Sequence, residues 1–76
     1  MTDKQRRILA FLSEYGPATP TRIGELVGGR DYNRASTWAC STLSAMHSAG
    51  WVDRDNKRAP YRITIPGRLA LWRDQE

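Results

Sequence analysis

Cys40 and His47 are the one cysteine and the one histidine in a chain of 76 residues. Domains this short bury only ~60% of the surface that their unfolded chain exposes, and many lean on disulfides or a structural metal for stability. A lone cysteine forms no internal disulfide, and a structural zinc site wants four ligands. Helix packing or self-association therefore has to supply the margin. Apolar material suffices for one core, so residues 1–76 are expected to fold as a single domain.

Glycine and proline divide the chain. From Thr2 to Tyr15, the residues Ile8, Leu9, Phe11, Leu12 and Tyr15 recur at spacings of three and four, the buried stripe of an amphipathic helix that Gly16 and Pro17 close. Thr19 before Pro20 reads as an N-cap with proline at the first helical position. Ile23, Leu26 and Val27 then give a short apolar face up to Gly28 and Gly29. A longer helix is predicted from Tyr32 to Ala49, where Ala35, Trp38, Ala39, Thr42, Leu43, Met46 and Ala49 share the helical period and Gly50 follows.

The other side of that long helix carries Asn33, Thr37, Ser41, Ser44 and Ser48, with Arg34 and Ser36 near its start. A helix exposed only to water usually shows Glu and Lys, which are better helix formers than Ser, Thr or Asn. Small polar side chains instead allow close approach to another surface. Beyond Gly50, Trp51 and Val52 open an extended stretch. Asp53 to Arg58 is rich in turn formers, and Tyr61, Arg62, Ile63, Thr64 and Ile65 alternate as a strand, so a hairpin with a charged tip is expected. Pro66 and Gly67 read as strand breakers, and Leu69, Ala70, Leu71 and Trp72 as a short closing helix. Trp38, Trp51 and Trp72 are expected to fill the core, with Trp38 or Trp72 in a dimer interface as the alternative.

Charge is segregated along this order. Twelve Lys and Arg against eight Asp and Glu leave a net charge of +4, and from Lys57 to Arg73 five basic residues occur with no acid among them. Such a balance favours polyanionic partners.

The run STWACSTLSAMHSAGWVDR (Ser36 to Arg54) resembles the recognition helix and first wing strand of bacterial winged-helix repressors of the multiple-antibiotic-resistance and PadR-like groups. Its Gly50, Trp51, Val52 step stands where those proteins have a Gly-Leu-Val-like step into the wing. YRITIPGRLAL (Tyr61 to Leu71) and ATPTRIGELV (Ala18 to Val27) are similarly close to the family's ending and its second helix. The resemblance implies a mainly α fold with a small β-hairpin: a winged helix-turn-helix of three helices, a two-stranded wing and a short C-terminal helix. It also implies sequence-specific binding of double-stranded DNA by a small transcriptional regulator, a repressor more than an activator. Two departures narrow it. The connection from Val27 to Ser36 is longer than the usual tight turn, so the recognition helix starts at Tyr32 or after a separate loop around Arg30 and Asp31. No long flanking helices are present, so the family's effector binding and dimer mode do not carry over.

The residues support this reading on their own chemistry. A helix fits the major groove, where Asn pairs bidentately with adenine, Arg with guanine, and Ser or Thr with several partners. That points to Asn33, Arg34, Ser36, Thr37 and Ser41 on a recognition helix of about 32–49, with Arg34 foremost. Thr21 and Arg22 at the start of the second helix, and Arg30 in the turn, lie where phosphate meets a helix N-terminus. Arg54, Lys57, Arg58 and Arg62 surround the tip of a wing spanning about 53–62, within reach of a backbone or the minor groove. A single module contacts few base pairs, so a homodimer through Leu69, Leu71 and Trp72 of the last helix is expected.

No paired carboxylates, nucleophile–base arrangement or phosphate-binding glycine loop occurs, so no enzyme activity, metal or cofactor is expected. No apolar run reaches the length of a membrane span, and the expected location is the cytoplasm. The alternative function is a winged-helix protein-interaction module, in which the serine-rich face or the last helix meets a protein instead of DNA.

Overall fold

A computed structural model describes residues 1–75. The first helix, α1 (Asp3–Tyr15), begins with a reciprocal cap: the Thr2 hydroxyl accepts from the Gln5 backbone N–H at 3.1 Å, and the Gln5 side chain accepts from the Thr2 N–H at 2.9 Å. Two donors that a helix start leaves over are thereby satisfied. Ile8, Leu9 and Leu12 are buried and Phe11 half-buried, but Tyr15, the last residue of α1 before Gly16 (φ 87°), is exposed with its ring centre 5.0 Å from that of Phe11.

Helix α2 (Pro20–Leu26) starts as its sequence predicts, with Thr19 accepting from the Arg22 N–H at 3.2 Å and proline in the first turn. Ile23 and Val27 face the core and Leu26 points away from it. Helix α3 (Tyr32–Ser48) is capped by Asp31, whose carboxylate accepts from the Arg34 N–H at 3.0 Å. Of the two starts left open, the chain therefore takes Tyr32, with Arg30 and Asp31 in the linking loop. Gly50 (φ 82°) turns the chain out of α3.

Strands β1 (Val52–Asp53) and β2 (Arg62–Ile63) pair antiparallel, Val52 opposite Ile63 and Asp53 opposite Arg62. Ala18 and Tyr61 exchange backbone hydrogen bonds of 3.0 and 2.9 Å, which ties the α1–α2 link to the returning arm of the hairpin.

The extended run predicted from Tyr61 to Ile65 is shorter than expected, and Pro66 and Gly67 lie inside a helix. Helix α4 (Ile65–Gln75) begins where the Thr64 hydroxyl accepts from the Gly67 N–H at 3.1 Å. Pro66 then sits in the first turn, where a missing N–H costs nothing. Gly67 is buried against the Trp51 carbonyl, which a Cβ at this position would overlap.

The core joins Ile8, Leu9 and Leu12 of α1 to Ile23, Val27, Ala39, Leu43, Met46, Val52, Tyr61 and Leu71. Trp38 and Trp51 lie half-buried against it, whereas Trp72 is 65% exposed and is not a core residue. Leu71 corrects the expectation for the last helix in the opposite sense: it is buried against the core and unavailable to a second chain. The exposed apolar side chains of α4 are Ile65, Leu69 and Trp72. The architecture is thus mainly helical, four helices and one small antiparallel hairpin among the described residues, and none of these helices is long and apolar enough to cross a membrane.

Candidate nucleic-acid interface

Helices α2 and α3 meet at two glycines. A Cβ on Gly24 would sit inside the Ala35 backbone carbonyl, and one on Gly28 would lie 2.7 Å from the Trp38 ring. Between them the loop turns through Gly29 (φ 63°), with the Arg30 N–H reaching back to the Gly24 carbonyl at 3.1 Å. Helix α1 braces the pair from behind. Arg7 donates to the Val27 carbonyl at 2.7 Å, satisfying an acceptor at the end of α2, and Lys4 donates to the Trp38 carbonyl at 2.6 Å while its ammonium lies 4.2 Å from the centre of the Trp38 ring.

The opposite side of α3 is open to solvent. Asn33, Arg34, Thr37, Ser41, Ser44 and Ser48 are all exposed along it. Near its N-terminus, Arg30, Asn33, Arg34 and Thr37 come together with Trp38 around one open concavity of about 300 Å³. Residues singled out from the turn and from the helix therefore share one surface. Ser36 is half-buried, its hydroxyl 3.5 Å from the Cys40 sulfur, and so is less available than Thr37. At α2, Thr21 is half-buried, while exposed Arg22 lines a separate groove with Phe11, Tyr15 and Leu26. The sequence reading missed Tyr32, which is 76% exposed in the first turn of α3. Its position just before Asn33 was the available signal.

On the hairpin the four cations are not equivalent. Arg62 donates to Asp55 at 2.9 Å and lies 3.5 Å from Asp53. Arg54 lies 4.5 Å from the centre of the Tyr61 ring and donates to the Lys57 carbonyl at 3.0 Å. Asp53 also faces His47 at 3.6 Å. A hydrogen bond from the Arg54 backbone, followed by the charges of Arg62 and His47, holds the Asp53 carboxyl below its ordinary range. Asp55 correspondingly raises the affinity of Arg62 for its proton. Lys57 and Arg58 stand at the exposed tip, where the Asn56 side chain accepts from the Arg58 N–H at 2.8 Å.

The basic side chains thus fall into two sets among the described residues. Lys4, Arg6, Arg7, Arg54, Arg62 and Arg68 hold partners within the fold. Arg22, Arg30, Arg34, Lys57 and Arg58, with Arg73 on α4, extend into solvent without an ion-pair or hydrogen-bond partner for the side chain. No group of three or more His, Cys, Asp and Glu is placed to hold a metal ion among the described residues.

No protein-family model, curated protein or solved structure matches this chain.

Proposed function

We propose that this chain is a winged helix-turn-helix domain that binds double-stranded DNA sequence-specifically, with α3 entering the major groove and the hairpin following the backbone. The observation that carries this reading is the distribution of unpartnered cations. Arg30 and Arg34 border a concavity shared with Asn33 and Thr37, and Lys57 and Arg58 crown the hairpin tip. Guanidinium and amide groups on a helix start suit the edges of guanine and adenine, while the tip lysine and arginine suit phosphate. The small polar residues further along α3 add little bulk between that helix and a groove.

The chain acts as a transcriptional regulator by occupying its site, in the manner of a repressor, and catalyses nothing. A second copy covers the exposed stripe of Ile65, Leu69 and Trp72, so that two recognition helices address a two-fold site.

Fluorescence anisotropy against mixed-sequence duplex DNA at low and moderate salt tests the reading, with Arg34→Ala and the Lys57→Ala/Arg58→Ala double variant alongside. Wild-type binding should weaken steeply as salt rises, because each neutralised phosphate releases counterions. Both variants should bind more weakly while their circular dichroism stays unchanged. A well-folded wild type that ignores duplex DNA at low salt would replace this reading with a protein-interaction module.

A further inference from the structure

The wing is smaller as an electrostatic surface than its composition suggests. Between Asp53 and Arg62 lie four cations, and two of them are already committed. The carboxylates of Asp55 and Asp53 bracket the Arg62 guanidinium, at 2.9 Å from Nη1 and 3.5 Å from Nη2. Two carboxylates in those places occupy the positions that phosphate oxygens would take on a DNA-bound arginine. Asp53 divides its two oxygens, Oδ2 toward Arg62 and Oδ1 toward His47 Nε2 at 3.6 Å, so the bracket also links the hairpin to the last turn of α3. Arg54 is committed differently, its guanidinium flat work divided between the Tyr61 ring and the Lys57 carbonyl. That bond ties down the backbone of Lys57, whose side chain is exposed at the tip.

We propose that the wing separates contact from positioning: Lys57 and Arg58 meet phosphate, while Asp53 and Asp55 hold Arg62 back from the DNA and Arg54 shapes the tip that presents Lys57. Asp53, Asp55, Arg54 and Arg62 are positioning residues on this account. The proposal rests on the DNA-binding reading and sharpens it, since four basic residues of similar composition are assigned two opposite roles. Two acids on a DNA-facing hairpin would otherwise only weaken binding. Here they keep one arginine in the hairpin and leave the tip residues to set the number of phosphate contacts.

The dependence of affinity on salt counts those contacts, because the slope of log K against log salt changes by about 0.9 for each phosphate neutralised on duplex DNA. The chain should be titrated as wild type and as Lys57→Ala, Arg58→Ala, Arg62→Gln, Asp53→Asn/Asp55→Asn, and that pair combined with Arg62→Gln. Lys57→Ala and Arg58→Ala should each flatten the slope by about 0.9, and Arg62→Gln should leave it unchanged. The paired Asn variant frees Arg62 and should steepen the slope by about 0.9, a gain that the added Arg62→Gln removes. A merely structural role for the acids moves affinity without this gain and its reversal. Flattening by Arg62→Gln equal to that of Lys57→Ala, or a steepening that survives Arg62→Gln, overturns the proposal while leaving DNA binding intact. A wild type with no salt-dependent binding overturns both.

Discussion

Where α2 meets α3, a glycine lets one backbone rest on another. Where β1 meets β2, only two residues on each strand pair, and carboxylates and guanidinium groups hold the remainder of the hairpin. The first junction excludes water and tolerates almost no change in volume. At the second, Val52 and Tyr61 reach the core but the charged side chains stand in solvent, so their ion pairs contribute little to global stability and mainly choose among conformations. On the proposed DNA-binding function, the helix pair would present side chains at the fixed positions that base reading requires, while the hairpin would need only to carry charge to the right region. Arginine accordingly plays a different part in each region: Arg34 stands free at the helix start, while Arg62 is held between two carboxylates.

The largest effect is expected from breaking the helix junction. Gly24→Ala should by propensity alone strengthen α2 by about 1 kcal/mol, but its Cβ would overlap the Ala35 carbonyl, which cannot move without moving α3. Overpacking against backbone should win, with a net loss of about 3 kcal/mol in urea unfolding. Gly28→Ala meets the Trp38 ring at 2.7 Å, a side chain able to shift, and touches the Gly24 carbonyl less closely, at 2.9 Å, so it should lose less, about 1–2 kcal/mol. Equal losses at the two positions would show that the close contact is not where the pair is locked.

A pair of arginines sharpens the contrast next. Arg34→Ala removes a side chain with no partner in the fold, and should cost about 1–3 kcal/mol in DNA binding while the unfolding midpoint stays in place. Arg7→Ala strands the Val27 carbonyl and should cost about 1 kcal/mol in stability. Its effect on affinity should be no larger than the loss of folded protein explains. Parallel chemical unfolding and anisotropy on both variants decide between them.

Most of the helical frame was legible because its signals are local. Thr19 before Pro20, the period of Ala35, Ala39, Leu43 and Met46, and Gly16 and Gly50 beyond the ends all act within a turn or two of the chain. The start of α4 was misread for the same reason: Pro66 and Gly67 stop a strand and also fit the first turn of a helix, and only the Thr64 cap and the Trp51 contact choose. At the candidate site, the place of Arg30 depends on the path of the loop, whereas the grouping of Asn33, Arg34 and Thr37 beside it followed from helical spacing. Which cations are already engaged did not, since the pairing of Arg62 with Asp55 depends on a strand register and the approach of Lys4 to Trp38 on how α1 crosses α3. Leu71 and Trp72, adjacent and both apolar, point oppositely, and composition has no means of separating them.

The smallest effect belongs to the hairpin and is read with pH. Asp53 has an ordinary pKa of 3.8, and the Arg54 backbone N–H, Arg62 and His47 hold it lower in the folded chain. A carboxyl lowered by folding contributes stability above its unfolded value, and that contribution fades as pH falls through the native value. The carboxylate is about half exposed and screened by water, so the whole-domain transition should scarcely move on acidification while the hairpin responds locally. Amide resonances of Val52, Asp53, Arg62 and Ile63 should shift together as pH drops below about 4, ahead of any change in α2 or α3, and Asp53→Asn should remove most of that response. If the helix-pair amides instead move in step with the hairpin at the same pH, the two regions are one cooperative unit, and the separation between a locked reading helix and an independently braced wing does not hold.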